Sequence, residues 1–210
     1  MAKQIEIGTV IGRGWELYKG NMGLLILANL LLLVVSAFTC GVLAAPMIAG
    51  NYLIIQRLLK KDPVRPQVGD LFKGFEYFLN ALLIMLVGIV ASAIPVVNFV
   101  VSPIMAIGIM FVVFGKMGFS DALNKIFSEI KTGPFWMLVL AVFLGHLIGG
   151  LGIFLYYVGA LFTLPLGVCI VVCAYHAAYE GVDAGQPPPV IPPEVPPLVD
   201  QTPPPPPPES

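Results

Sequence analysis

The chain has 210 residues, of which 58% are hydrophobic and only 11% are charged, whereas soluble domains carry about 25% charged residues. Mean hydropathy is +0.91, so lipid is the predicted solvent for most of the chain. The net charge of −1 provides no overall field that would attract nucleic acid, so no nucleic-acid partner is expected.

Three long intervals contain no Asp, Glu, Lys or Arg: residues 20–56, 77–115 and 132–179. They are 37, 39 and 48 residues long, and one membrane-spanning helix needs about 20 residues. Each interval therefore predicts two spans, which gives an all-α membrane protein with six transmembrane helices in three hairpins. A re-entrant arrangement, in which short helices enter and leave one membrane face, stays open because the second span is short. The spans are placed near 22–42, 44–59, 77–96, 98–116, 135–156 and 161–179.

Proline and glycine mark the turns of the predicted hairpins. The first turn is expected near 41–46, the second near 95–98 and the third between 149 and 165. The second helix of each hairpin is predicted to begin at a proline, because a proline in the first helical turn gives up an N–H that has no partner there. These prolines are Pro46, Pro103 and Pro165.

An amphipathic segment precedes each predicted hairpin, with apolar residues at offsets 0, 3, 4, 7 and 11, which lie on one face of an α-helix. Thr9, Asp70 and Asp121 follow the starts by two residues and suit helix N-termini. The apolar positions are Ile7, Val10, Ile11, Gly14 and Tyr18; Val68, Leu71, Phe72, Phe75 and Leu79; and Phe119, Ala122, Leu123, Ile126 and Ile130.

These patterns predict an internal threefold repeat of interfacial helix, span, proline and span. The units are about 7–61, 68–118 and 119–181, and their starts are 61 and 51 residues apart. Repeats of this kind decide the fold when they are real. The alternative is that any three amphipathic helices would share these offsets.

All eleven Lys and Arg residues lie in the N-terminal segment or in the connections 57–76 and 116–131. The positive-inside rule places these segments in the cytoplasm, and six spans then leave both termini cytoplasmic. We expect a multi-pass protein of the bacterial cytoplasmic (inner) membrane. Charged residues precede the first apolar run, so that run is expected to act as an uncleaved signal anchor.

The composition changes after residue 185. Residues 186–210 are rich in proline and carry no basic residue, so they predict a disordered or polyproline II cytoplasmic tail beside a membrane domain of residues 1–185. The tail is either a solvated spacer or a strip that docks into an aromatic groove of a partner.

Two groups of polar residues are candidates for chemistry in the last helices. Cys169, Cys173 and His176 share one helix face and carry soft-metal ligand atoms. Packing explains the cysteines better, because three ligands on one straight helix rarely converge on an ion. His146 lies in a glycine-rich stretch, where a hydrogen bond to another helix is expected.

The predicted spans contain amide side chains, among them Asn29, Asn51, Gln56 and Asn80. They are expected to tie helices together, although Asn51 and Gln56 could instead line a pathway. Apart from Arg57 and Lys116 at their ends, the spans contain no charged residue of the kind that proton relays and ion-coupled transporters need. No hydrolase, nucleotide-binding or metalloprotease motif occurs, so we assign no catalytic residue, no cofactor and no metal.

Three stretches resemble a known group of proteins: WELYKGN at 15–21, DLFKGF at 70–75 and AYHAAYE at 174–180. Together they resemble bacterial polytopic membrane proteins of uncharacterised function and are similar to membrane domains found beside glycerophosphodiester phosphodiesterases. The resemblance covers roughly residues 7–181. It implies a membrane architecture and leaves the function open. The phosphodiesterase activity is not carried over, because the matching stretches contain no catalytic residue.

The leading hypothesis is a non-enzymatic structural or accessory subunit of a bacterial membrane protein complex. Its expected partners are the lipid bilayer, other membrane proteins or further copies bound through small-residue helix faces, and a protein that binds the proline-rich tail. Two alternatives stay open. One is a carrier or channel for a neutral or lipidic substrate, and the other is a protein that shapes membranes through wedge-like hairpins.

Overall fold

The structure is a computed structural model that describes residues 5–91, 95–151 and 158–180. Within these ranges all regular elements are helical, which confirms the predicted all-α class. The tail at 186–210 and part of the third turn lie outside the described residues. Residues 95–98, where the second turn was predicted, instead form the first turn of the helix Pro95–Phe114. The elements are α1 (Ile7–Gly20), α2 (Met22–Phe38), α3 (Ala44–Leu59), a 3₁₀ segment (Val68–Tyr77), α4 (Phe78–Ala91), α5 (Pro95–Phe114), α6 (Phe119–Glu129), α7 (Gly133–Gly150) and α8 (Val158–Tyr179).

Three helical stretches in the described part are long and apolar enough to cross a membrane: Val68–Ala91, Gly133–Gly150 and Leu161–Tyr179. The pair α1 and α2 would supply a fourth if it counted as one span, but it is bent by 92° at the break between its helices. These three or four candidate spans are compatible with a multi-pass membrane protein. The stretch Phe99–Phe114 is apolar but shorter.

The amphipathic faces predicted for α1 and α6 are confirmed. In α1 the buried residues are Val10, Gly14 and Tyr18, and in α6 Ala122 and Ile126 are buried with Glu129. The apolar faces are covered because α1 packs on α8 and α6 packs on α5. The 92° bend between α1 and α2 turns α1 out of the direction of α2, and α1 packs on α8.

The second amphipathic face was predicted wrongly. The segment is a 3₁₀ helix, in which Leu71 and Gly74 are buried, whereas Phe72 and Phe75 are exposed. A 3₁₀ helix has 3.0 residues per turn, so its buried positions recur every third residue and the offsets of an α-helix do not apply. The side chain of Asp70 accepts a hydrogen bond from the backbone N–H of Gln67 at 2.9 Å and so caps the segment.

Only one of the three prolines begins its helix as predicted. Pro46 lies in the first turn of α3, but Pro103 and Pro165 lie inside α5 and α8. An internal proline removes one intrahelical hydrogen bond, and within membranes neighbouring groups can compensate for that loss. The helices therefore extend toward the N-terminus past these prolines.

Six of the helices form an inner and an outer group. The inner helices are α3, α5 and α8, which contact one another, and the outer helices are α2, α4 and α7. Each outer helix packs against two inner helices: α2 on α3 and α8, α4 on α5 and α3, and α7 on α8 and α5. Burial follows this grouping, since α3 buries ten residues and α2 only three.

Large apolar side chains cover the outside of the bundle. On α2, α4 and α7 they include Leu27, Leu30, Leu33, Leu86, Ile89, Val90, Leu140 and Leu147. An apolar surface of this extent is stable in hydrocarbon and not in water. The outer helices therefore have the surface that a lipid environment requires.

Candidate functional site

The C-terminal halves of the inner helices meet in an aromatic cluster. Its members are Tyr52 of α3, Phe111 and Phe114 of α5, and Tyr175 and Tyr179 of α8. The ring centroids of Phe111 and Tyr179 are 5.2 Å apart, as are those of Phe114 and Tyr175. Tyr52 joins from α3, with its ring 6.4 Å from Phe114. Aromatic pairs at these separations stabilise packing beyond the area that they bury.

Charged groups cap the aromatic cluster. One carboxylate oxygen of Glu180 lies 2.9 Å from Nδ1 of His176 and 3.1 Å from Nζ of Lys60. Because Lys60 follows α3 and Glu180 follows α8, the ion pair joins these two helix ends. Nζ of Lys125, on α6, lies 5.2 Å from the ring centroid of Phe111 and adds a cation–π contact.

Partial burial raises the pKa of Glu180, but His176 and Lys60 outweigh it and hold the pKa below its ordinary value of 4.5. A carboxylate with a lowered pKa in the folded state stabilises the protein above its unfolded pKa and loses that contribution as pH falls through the folded pKa. We therefore expect the melting temperature in detergent to fall below about pH 4.5, and the fall to be smaller in Glu180→Gln. Identical acid profiles for the two proteins would contradict this role.

The predicted amide contacts are confirmed at three positions. The Nδ2 of Asn51 donates to the Oδ1 of Asn29 across α3 and α2, at 3.4 Å between buried groups. The Oδ1 of Asn80 accepts the backbone N–H of Phe119 at 3.2 Å and so ties α4 to the start of α6. Gln56 is half-buried and lines neither of the two cavities described below.

His146 was predicted to hydrogen-bond to another helix, and this prediction was wrong. Its side chain is exposed in a groove of about 310 Å³ between α5 and α7, beside Ser102 and Phe143. Within the described residues it donates no hydrogen bond to another helix. Asn51 and Gln56 do not line this groove. A carrier would be favoured if Asn51, Gln56 and His146 faced a common cavity, and in the described part of the chain they do not.

Cys169, Cys173 and His176 lie buried on α8, as their shared face predicted. Within the described ranges no group of three or more His, Cys, Asp or Glu residues is placed to hold a metal ion. Close helix packing surrounds this face, since a methyl group added at Gly14 of α1 would lie 2.7 Å from a side-chain carbon of Ile170.

Two glycines of α7, Gly145 and Gly149, pack against another helix of the chain. A methyl group at Gly167 of α8 would overlap the carbonyl oxygen of Gly145, and Gly149 lies against the same helix. The hydroxyl of Thr163 donates to the carbonyl of Gly149 at 2.6 Å. This small-residue face is therefore occupied by α8.

A second cavity, the basic groove, was missed by sequence reasoning. It encloses about 510 Å³ between α1 and the connection that follows α3. Its charged lining residues are Arg13, Glu16, Arg57, Lys61, Asp62 and Arg65. The sequence places basic residues at 57–65, but only the bend after α1 brings Arg13 and Glu16 opposite them.

No protein family, curated protein or solved structure matches the chain.

Proposed function

We propose that the chain is a non-enzymatic structural or accessory subunit of a bacterial membrane protein complex. The aromatic cluster is the observation that carries this proposal, because it packs the three inner helices together where a substrate path through the bundle would run. Its rings join α3, α5 and α8. A sealed bundle with an apolar exterior suits a scaffold better than a carrier.

The proposed topology has six spans in three hairpins, α2–α3, α4–α5 and α7–α8, each preceded by an interfacial segment. The contact pattern supports a threefold repeat. The segment α1 packs on α8, the 3₁₀ segment on α3 and α6 on α5, so each lies on the second helix of the preceding hairpin in cyclic order. The shorter helices, such as α3 with 16 residues, would extend about 24 Å and need a locally thinned bilayer.

The proposed orientation puts the end of the bundle that holds the aromatic cluster in the cytoplasm of a bacterial cell. The basic connections lie at that end, since Lys60 pairs with Glu180 and Lys125 contacts Phe111. This agrees with the positive-inside rule. The resemblance to bacterial polytopic membrane proteins supports a bacterial source and a polytopic membrane architecture.

Labelling of single cysteines tests the topology. In a background without Cys40, Cys169 and Cys173, we expect Pro63→Cys and Val190→Cys to react only from the cytoplasmic side. The native Cys40 provides the opposite control, because it is exposed in the turn between α2 and α3. A protein that keeps only Cys40 should react from the periplasm. Labelling of residue 63 or 190 from outside intact cells would overturn the six-span topology.

The proposed partners bind the outer helices, because the glycine-rich face of α7 is already occupied by α8. Purification in a mild detergent after expression in the native host tests this proposal. We expect a stable complex with other membrane proteins or with further copies of the chain. Substituting exposed residues such as Leu30 and Leu33 of α2 should identify the face involved. A lone monomer with no co-purifying protein would contradict an accessory role.

Membrane shaping is a second candidate, favoured by an exposed ridge of phenylalanines on the 3₁₀ segment. The rings of Phe72 and Phe75 are 6.1 Å apart and those of Phe75 and Phe78 are 6.3 Å apart, both stacked. At a membrane surface such a ridge would insert between lipid headgroups as a wedge. Reconstitution at high density should then raise vesicle curvature, and Phe72→Ser/Phe75→Ser should abolish the change. Unaltered vesicles would remove this candidate.

A further inference from the structure

The basic groove is lined by four basic and two acidic side chains, so its formal charge is positive. Arg13, Glu16 and Asn21 come from α1 and its bend, and Lys61 and Arg65 come from the connection after α3. A cavity of about 510 Å³ has room for a phosphate-bearing group with its substituent. These features point to an anionic ligand.

Arg57 braces the wall of the groove. Its Nε lies 2.8 Å from Asp62, its Nη1 lies 2.8 Å from Asp70, and its Nη2 donates to the carbonyl of Val64 at 3.2 Å. Two carboxylates therefore neutralise this guanidinium, and it holds the connection in place. Within the described part of the chain Lys61 and Arg65 form no ion pair. Their charges are left for a ligand.

The backbone at Lys61 supports a specific role for its side chain. Lys61 has a φ of +51° and follows the end of α3, and the N–H of Asp62 donates to the carbonyl of Arg57 at 3.1 Å. Helices that end in this way usually carry glycine at the left-handed position, since a side chain is strained there. A lysine at this position places a cation in the groove despite that strain.

We propose that the groove binds the phosphate of an anionic phospholipid headgroup. This proposal rests on the proposed topology in one respect, the placement of α1 at the membrane surface. Trp15 on α1 is 48% exposed, and tryptophan is enriched at the level of lipid headgroups. The helix that leaves the groove, α2, exposes Leu27 and Leu30, a surface suited to acyl chains. A phosphate that belongs to a lipid headgroup explains both the cations in the groove and the apolar surface of α2 beside it.

Lipid binding by the full-length protein in detergent tests this proposal. Native mass spectrometry with added dioleoylphosphatidylglycerol, dioleoylphosphatidylcholine or inorganic phosphate would measure retained ligand. We expect the wild-type protein to retain phosphatidylglycerol preferentially, and Lys61→Gly/Arg65→Gln to bind it about tenfold more weakly. Lys61→Gly relieves a strained backbone, so a melting curve should show that folding is intact.

The control for the Lys61→Gly part of this variant is Lys116→Gly. Lys116 has a φ of +49° and lies outside the groove, so this change removes one lysine charge and relieves a similar backbone strain elsewhere. It should leave phosphatidylglycerol binding unchanged. Equal loss in Lys116→Gly, equal retention of phosphatidylcholine, or unchanged binding by Lys61→Gly/Arg65→Gln would each overturn the proposal. Complete competition by inorganic phosphate without a preference for lipid would assign the groove to free phosphate and would also overturn it.

Detergent solution has no sidedness and holds no partner protein. A failure of lipid binding is therefore distinguishable from a failure of the proposed topology or accessory role. Those are measured separately, by cysteine labelling and by co-purification.

Discussion

Replacing Gly50 by alanine is expected to lower the free energy of unfolding by about 3 kcal/mol, the upper part of the range for overpacked cores. A methyl group at Gly50 would overlap the carbonyl oxygen of Leu71. Because that atom belongs to the backbone of the 3₁₀ segment, it cannot move aside as a flexible side chain would. The segment must separate from α3 or lose its helical form. Unfolding in detergent, followed by circular dichroism, measures the effect.

Gly23→Ala is the matched control for this substitution. Gly23 lies in α2, and a methyl group there would meet no atom within 4 Å. Alanine in an open helical position stabilises by about 0.5–1 kcal/mol relative to glycine. The two variants should therefore shift stability in opposite directions. A Gly50→Ala protein as stable as Gly23→Ala would show that the 3₁₀ segment does not pack on α3 as described.

Replacing Phe111 by alanine is expected to cost about 3–5 kcal/mol, as for other buried phenylalanines. Its ring is fully buried and contacts Tyr175 and Tyr179 of α8, 5.8 and 5.2 Å away between centroids. Truncation removes these contacts, leaves a cavity between α5 and α8, and takes away the ring under Lys125. Thermal unfolding in detergent is the direct measurement.

Phe38→Ala provides the control for this second substitution. Phe38 ends α2 and is 85% exposed, so its truncation should change stability by less than about 0.5 kcal/mol. Phe111→Leu should recover part of the loss, because it refills most of the cavity. If Phe111→Ala unfolded like the wild-type protein, the aromatic cluster would not join the inner helices, and the argument for a sealed bundle would fail with it.

The order of helices is determined by local sequence. Long intervals without charge predict apolar helices because a charged group in hydrocarbon is costly, and α3 was predicted at its observed bounds, Ala44–Leu59. The faces of α1 and α6 followed from spacing, since an α-helix with one apolar face must cover it. Charge and hydropathy act residue by residue, so a sequence displays them directly.

The 3₁₀ segment was decided by tertiary contact. Its period of three depends on Gly50 and Gly74, where two backbones touch, because a methyl group at Gly74 would overlap the carbonyl oxygen of Pro46. Neither glycine signals its partner in the sequence. The exposed Phe72 and Phe75 follow from the same contact. A local pattern of apolar residues is compatible with either helix type.

The basic groove and the aromatic cluster also needed the tertiary structure. Arg13 and Arg65 line one cavity although 51 other residues separate them in the chain, and only the 92° bend after α1 allows it. Phe111 and Tyr179 meet because α5 and α8 are both inner helices. The sequence determined by itself which segments are apolar helices and which ends carry the positive charge. The tertiary structure decided which of those segments touch, because contacts between distant residues depend on bends and helix packing that no local spacing encodes.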